Sequence, residues 1–185
     1  DAPVAPRSKI TYLIALILGV GIPVGVIYLL ELTKFKIEGR ADVEKLTSAP
    51  IVGDIPLTDE KQGAIAVFEN QNNLMSETFR NIRTNLQFML ENGKNVILVT
   101  STVSGEGKSF VSSNLAISLS LLGKKVVIVG LDIRKPGLNK VFNISQKEHG
   151  ITQFLTNPTK NLMDLVQSSD INENLFILPG GSVPP

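Results

Sequence analysis

Lys108 and Ser109 close the run TVSGEGKS at 102–109, and their types and order suit one chemistry, the holding of phosphate. A lysine ammonium brings a full positive charge to phosphate oxygens, and a serine hydroxyl is a hard oxygen ligand for Mg²⁺. Gly105 and Gly107 allow the backbone to curl, so that N–H groups from Ser104, Gly105, Glu106, Gly107, Lys108, Ser109 and Phe110 can face one anion. The common form of such a loop begins with glycine five positions before the Gly-Lys pair, and Thr102 stands there instead. A second candidate follows in DIRKP at 132–136. Asp132 leaves the end of an apolar run beside the loop, where a carboxylate can hold Mg²⁺ directly or through water. Arg134 and Lys135 can turn toward phosphate. The plain alternatives are a helix-capping turn at 105–109 and a polar turn at 132–136.

These residues need elements to position them. An apolar run at 95–100 predicts a strand entering the loop, and 110–122 predicts a helix leaving it, with Gly123 as its stop. Residues 125–131 carry, after Lys125, an unbroken apolar run, as expected of a buried parallel strand. Residues 75–91 predict a helix with an apolar stripe of Met75, Phe79, Ile82, Leu86 and Met89, begun by a cap at Ser76. Glu77, Arg80 and Arg83 are three residues apart and share one helical face, either as surface charge or as an interface stripe. Residues 41–46 predict a short helix, 49–56 an extended segment, and 57–73 a polar loop with some local helix. Residues 150–155 and 161–166 read as short helices, and 174–178 as a strand. This alternation predicts an α/β fold with a mostly parallel sheet.

Composition narrows the classes. The 185 residues carry a net charge of +1, so no global basic field argues for nucleic acid. Without cysteine there are no disulfides and no thiolate metal sites. His149 is the single histidine and sits in a turn-like context, and there is no tryptophan. Residues 10–30 carry no charge, and at about 1.5 Å per residue they reach across a hydrocarbon core of about 30 Å. Arg7 and Lys9 precede this run, while Lys34, Lys36, Arg40 and Lys45 follow it. That excess points the C-terminal side to the cytoplasm. Tyr12 and Tyr28 lie near the two membrane interfaces. Gly21 and Gly25 share a face that admits close helix approach, and Pro23 bends the span. Asp1 and the final Val183-Pro184-Pro185 read as cut ends.

In this order the motifs resemble the bacterial tyrosine autokinases of exopolysaccharide and capsule export. They are the span, DVEKL at 42–46, PIVGDIP at 50–56, Glu77-x-x-Arg80-x-x-Arg83, GEGKS at 105–109 and DIRKP at 132–136. The resemblance covers nearly the whole chain. It implies a P-loop NTPase-type domain, incomplete here, preceded by one transmembrane helix of the polysaccharide co-polymerase type. The implied organisation is the end of a periplasmic segment at 1–9, a single inner-membrane span at 10–30, a juxtamembrane linker at 31–73, and the first part of a cytoplasmic kinase domain at 74–185. ATP and Mg²⁺ are the implied cofactors. Lys108 is placed on phosphates, Ser109 and Asp132 on the cation, and Glu77, Arg80 and Arg83 in a ring-forming interface. The implied reaction moves the γ-phosphate to tyrosines of a neighbouring copy, in control of polysaccharide chain length and export. Gly130 replaces the first of two aspartates usual in the family's second motif, so that residue's role does not carry over. A third acidic motif and a tyrosine cluster are expected beyond Pro185, and the 185 residues alone are expected to be inactive. A partition-type ATPase and a non-catalytic assembly component of the polysaccharide machinery remain as alternatives.

Overall fold

The computed structural model describes residues 8–32, 37, 39–57, 63–69, 72–90, 93, 95–144, 150–157, 159 and 161–182. Arg7, Lys34, Lys36 and His149 lie outside these residues, as do parts of the loop expected over 57–73. The chain forms two compact units, Asp1–Ala49 and Pro50–Pro185.

The first unit holds α1 (Ser8–Leu32) and α2 (Arg40–Leu46). α1 extends the predicted apolar run to 25 residues, contains Pro23, and has no buried residue. It is long and apolar enough to cross a membrane. α2 carries Asp42 in its first turn and Lys45 in its last, which complements the helix dipole. An Arg40–Glu44 pair at 2.8 Å runs along its surface.

The second unit is built around two helices, α3 (Leu74–Met89) and α4 (Lys108–Ser120). Smaller pieces follow as β1 (Val126–Val129), α5 (Leu138–Val141), α6 (Ile151–Thr156), a 3₁₀ turn at Leu162–Leu165, β2 (Gln167–Ser168) and β3 (Leu175–Leu178). The sheet order is β1-β3-β2. β1 runs parallel to β3 with Val126 opposite Leu175, and the short β2 pairs antiparallel with Gln167 opposite Ile177. Met75, Phe79 and Ile82 of α3 pack with Leu115 and Ile117 of α4, Ile128 of β1, and Leu175 and Ile177 of β3. The Phe79 ring lies 6.0 Å from that of Phe110 at a 59° tilt, a favourable aromatic geometry.

Four expectations need correction. The segment 95–100 forms no ladder with any described strand. A ladder needs a neighbouring strand about 4.7–4.9 Å away, and a cavity of about 490 Å³ separates residues 95–99 from β1. Val96 and Leu98 accordingly stay 90% and 78% exposed. β1 is buried on one face only. Ile128 faces the core, while Val127 and Val129 remain half exposed, because α4 covers one side of the strand. The α3 cap is Asn73, whose Oδ1 accepts from the Ser76 amide at 2.7 Å. The helix starts one residue earlier than expected, so Ser76 falls inside its first turn and is buried.

The fourth correction concerns the segments before α3, which join the core. Val52 and Ile55 pack against it, and Asn85 donates to the Val52 carbonyl at 2.8 Å. A Cβ on Gly53 would run into the Ile82 side chain, so only glycine lets this backbone lie so close to α3. No helix forms at 63–69. Ala66 and Val67 are buried there, held by Asn114 of α4. The Asn114 Oδ1 accepts from the Ala66 and Val67 amides at 2.8 and 3.0 Å. Its Nδ2 donates to the Ala64 and Phe110 carbonyls at 3.0 and 2.8 Å. One buried amide thus uses its full hydrogen-bonding capacity on backbone groups.

Candidate nucleotide-binding site

Gly105 and Gly107 both adopt left-handed backbone, at φ 96° and 91°. Side chains with a Cβ rarely do so, which explains the glycines at these two positions. Gly107 is the N-cap of α4, and it supplies no side-chain acceptor. The first-turn amides of α4 therefore point out of the helix with its positive end behind them, an arrangement that attracts anions. Glu106 curls its carboxylate back within the loop, accepting from the Thr102 and Val103 amides at 2.8 and 3.2 Å. Phe110 turns its ring to Phe79, so this residue can meet a nucleotide only through its backbone. Ser104 sits in the exposed turn of the loop.

β1 and the turn after it bring Asp132 to the same place. The Lys108 ammonium lies 3.2 Å from the Asp132 carboxylate. The other Asp132 oxygen accepts from the Lys135 amide at 3.0 Å. That backbone hydrogen bond first, and then Lys108, hold the Asp132 carboxyl below the ordinary aspartate range. The stabilisation from this arrangement is full above the ordinary aspartate value and is lost as pH falls through the lowered one. Asp132→Asn should therefore flatten the acid limb of the stability profile below about pH 4. Urea unfolding at stepped pH measures this, and superimposable limbs would remove Asp132 from the account.

The donor set fits a hard divalent cation. Ser109 offers a hydroxyl and Asp132 a carboxylate, with remaining ligands to come from phosphate or water. The turn carrying Asp132 reaches Ser109 directly, since a Cβ built on Gly137 would overlap the Ser109 hydroxyl. The described residues contain no cluster of three or more acidic, histidine or cysteine side chains able to cage a metal unaided.

The charged stripe of α3 divides. Glu77 and Arg80 form an exposed ion pair, and Arg80 also reaches Asn72. Arg83 turns instead onto α4, donating to the Ser118 carbonyl at 2.6 Å. Burial first and the neighbouring Arg80 charge second lower the Arg83 pKa. Periodicity alone put all three on one face. It had no means of showing that α4 packs against the Arg83 end of that face. Sequence reasoning also passed over Asn114 and Gly137. Their only local signals were a polar residue within an apolar helix and a glycine following Pro136.

The comparisons extend this picture. Residues 92–173 match the ParA family model, described as NUBPL iron-transfer P-loop NTPase. Tyrosine-protein kinase YwqD of Bacillus subtilis is 32% identical over 68% of this chain. Tyrosine-protein kinase ptk of Acinetobacter johnsonii is 25% identical over 98% of it. This chain spans 52% and 26% of those two proteins, about half and a quarter of their length. The kinase domain of Escherichia coli tyrosine kinase ETK superposes with a TM-score of 0.70 at 25% identity, covering 81% of this chain and 62% of that one. The fold is thus that of a ParA-like P-loop NTPase domain, and the chain is a homologue of bacterial tyrosine-protein kinases.

Proposed function

We propose that this chain is part of a membrane-anchored, ATP-dependent protein-tyrosine autokinase that regulates the chain length and export of a capsular or exopolysaccharide. The observation that carries the proposal is the 3.2 Å approach of Lys108 to Asp132 at the head of α4, in a chain whose named relatives are tyrosine kinases. In this reading the amides of 104–110 and the Lys108 ammonium hold and orient the phosphates of ATP. Ser109 and Asp132 hold Mg²⁺, which when bound offsets charge on the phosphate oxygens. Phosphoryl transfer then depends mainly on positioning and charge, which these side chains supply. Tyr12 and Tyr28 are the only tyrosines in the 185 residues, and both belong to α1. In this reading the acceptor is a tyrosine outside α1, and phosphate passes between neighbouring copies of the full-length protein.

α1 serves as an inner-membrane span with the second unit on the cytoplasmic side. Incubating the full-length protein with γ-labelled ATP and analysing its phosphoamino acids tests the reaction. Label on tyrosine is expected, and release as inorganic phosphate alone would replace the kinase with an ATPase. Glu77 and Arg80 are offered to a neighbouring copy in a ring, while Arg83 fixes α3 to α4. Arg80→Ala should then lower the oligomer size seen by sedimentation while moving Tm by less than about 2 °C, since an exposed pair contributes little. An unchanged sedimentation profile would remove Arg80 from the interface.

A further inference from the structure

We infer that Gly137 is a positioning residue for Ser109, and that its missing side chain keeps the Ser109 hydroxyl available to a divalent cation. The inference rests on the nucleotide-site reading above and concerns a residue outside both phosphate-site motifs. The Gly137 backbone lies at φ −72° and ψ −32°, a conformation open to any residue. Glycine is therefore not required there by torsion. It is required by a neighbour, because an added Cβ would overlap Ser109 Oγ and come within 3.1 Å of Ser109 Cβ, with no other atom within 4 Å among the described residues beyond its own chain neighbours.

The backbone at Gly137 has little freedom to retreat. Its carbonyl accepts from the Lys140 and Val141 amides at 3.2 and 3.3 Å, which begins α5. The next residue, Leu138, is buried in the core. On the other side, the turn is tied by the Asp132 carboxylate to the Lys135 amide. A methyl group at 137 would therefore be accommodated by Ser109, whose side chain can rotate to another staggered position. That rotation spares the fold but takes the hydroxyl out of the place it occupies beside Gly137. Gly137 thus fixes the Ser109 hydroxyl against the same turn that carries Asp132.

Full-length wild-type, Gly137→Ala, Ser109→Ala and doubly substituted proteins are compared by titration with a fluorescent ATP analogue, in EDTA and across a Mg²⁺ series. Gly137→Ala is expected to bind within about twofold of wild type in EDTA. Its half-saturating Mg²⁺ should rise about 10–100-fold, the range seen when a metal ligand loses its supporting neighbour. The double variant should behave like Ser109→Ala, because the two changes remove one function. A wild-type protein indifferent to Mg²⁺ would overturn the nucleotide-site reading itself. A Mg²⁺-responsive wild type matched by Gly137→Ala would overturn the role of Gly137 alone. So would a Gly137→Ala protein that binds weakly in EDTA, which would mark a general loss of loop structure.

Discussion

Replacing Lys108 by methionine in the full-length protein is expected to lower tyrosine phosphorylation by about 10²–10³-fold, the usual loss when one preorganised charge or donor leaves a reacting group. Methionine keeps the length and bulk of the lysine stem and removes only the ammonium. The loop glycines, the exposed first-turn amides of α4 and the Glu106 brace are untouched, so the backbone of the site persists. What disappears is the side-chain cation that, among the described residues, pairs with the Asp132 carboxylate, 3.2 Å away. Asp132 would keep its hydrogen bond from the Lys135 amide, but the ammonium that shares its charge and reaches the phosphates would be gone. Both side chains of the pair are partly exposed, so little stability is at stake. Melting of the variant close to wild type would confirm that activity is lost without unfolding. Undiminished labelling from γ-labelled ATP would defeat the assignment of Lys108.

The largest effect on stability is expected at Asn114. Its side chain is fully buried and satisfies two amides and two carbonyls. Asn114→Leu keeps the volume and leaves the Ala66 and Val67 amides without their acceptor. Each buried group stranded in this way costs about 1–3 kcal/mol. The expected loss is about 2–6 kcal/mol, a large part of the 5–15 kcal/mol typical of a domain. At about 2–4 °C per kcal/mol for a chain of this size, Tm should fall by about 4–24 °C. Asn114→Asp retains the acceptor and should recover part of the loss. If the leucine variant melts within about 2 °C of wild type, the clamp contributes nothing net.

How much of this was legible in the sequence follows from distance along the chain. The phosphate loop is local: Gly105, Gly107, Lys108 and Ser109 are consecutive or nearly so, and their backbone requirements can be read from residue type. α1 was legible for the same reason, as an uncharged run. The approach of Asp132 to Lys108 needed only the expectation that strand ends gather beside the loop. Asn114 was not legible, because its partners at 64–67 lie 47–50 positions away and asparagine within a helix has no fixed local meaning. The ladder expected at 95–100 failed for a related reason. Apolar residues can favour an extended chain, but pairing requires a neighbour that no local pattern specifies. Arg83 shows the same limit. A helical face is predicted by counting, but the element that comes to cover it is not.

The Glu106 carboxylate has one more consequence. By capturing the Thr102 and Val103 amides, it makes the bend of the loop a property of the polypeptide rather than of its guest. Fixing a residue's backbone costs about 1–2 kcal/mol, and here that ordering belongs to folding. The triphosphate proposed above would meet a receptor of settled shape, and its affinity would not be diluted by having to mould one.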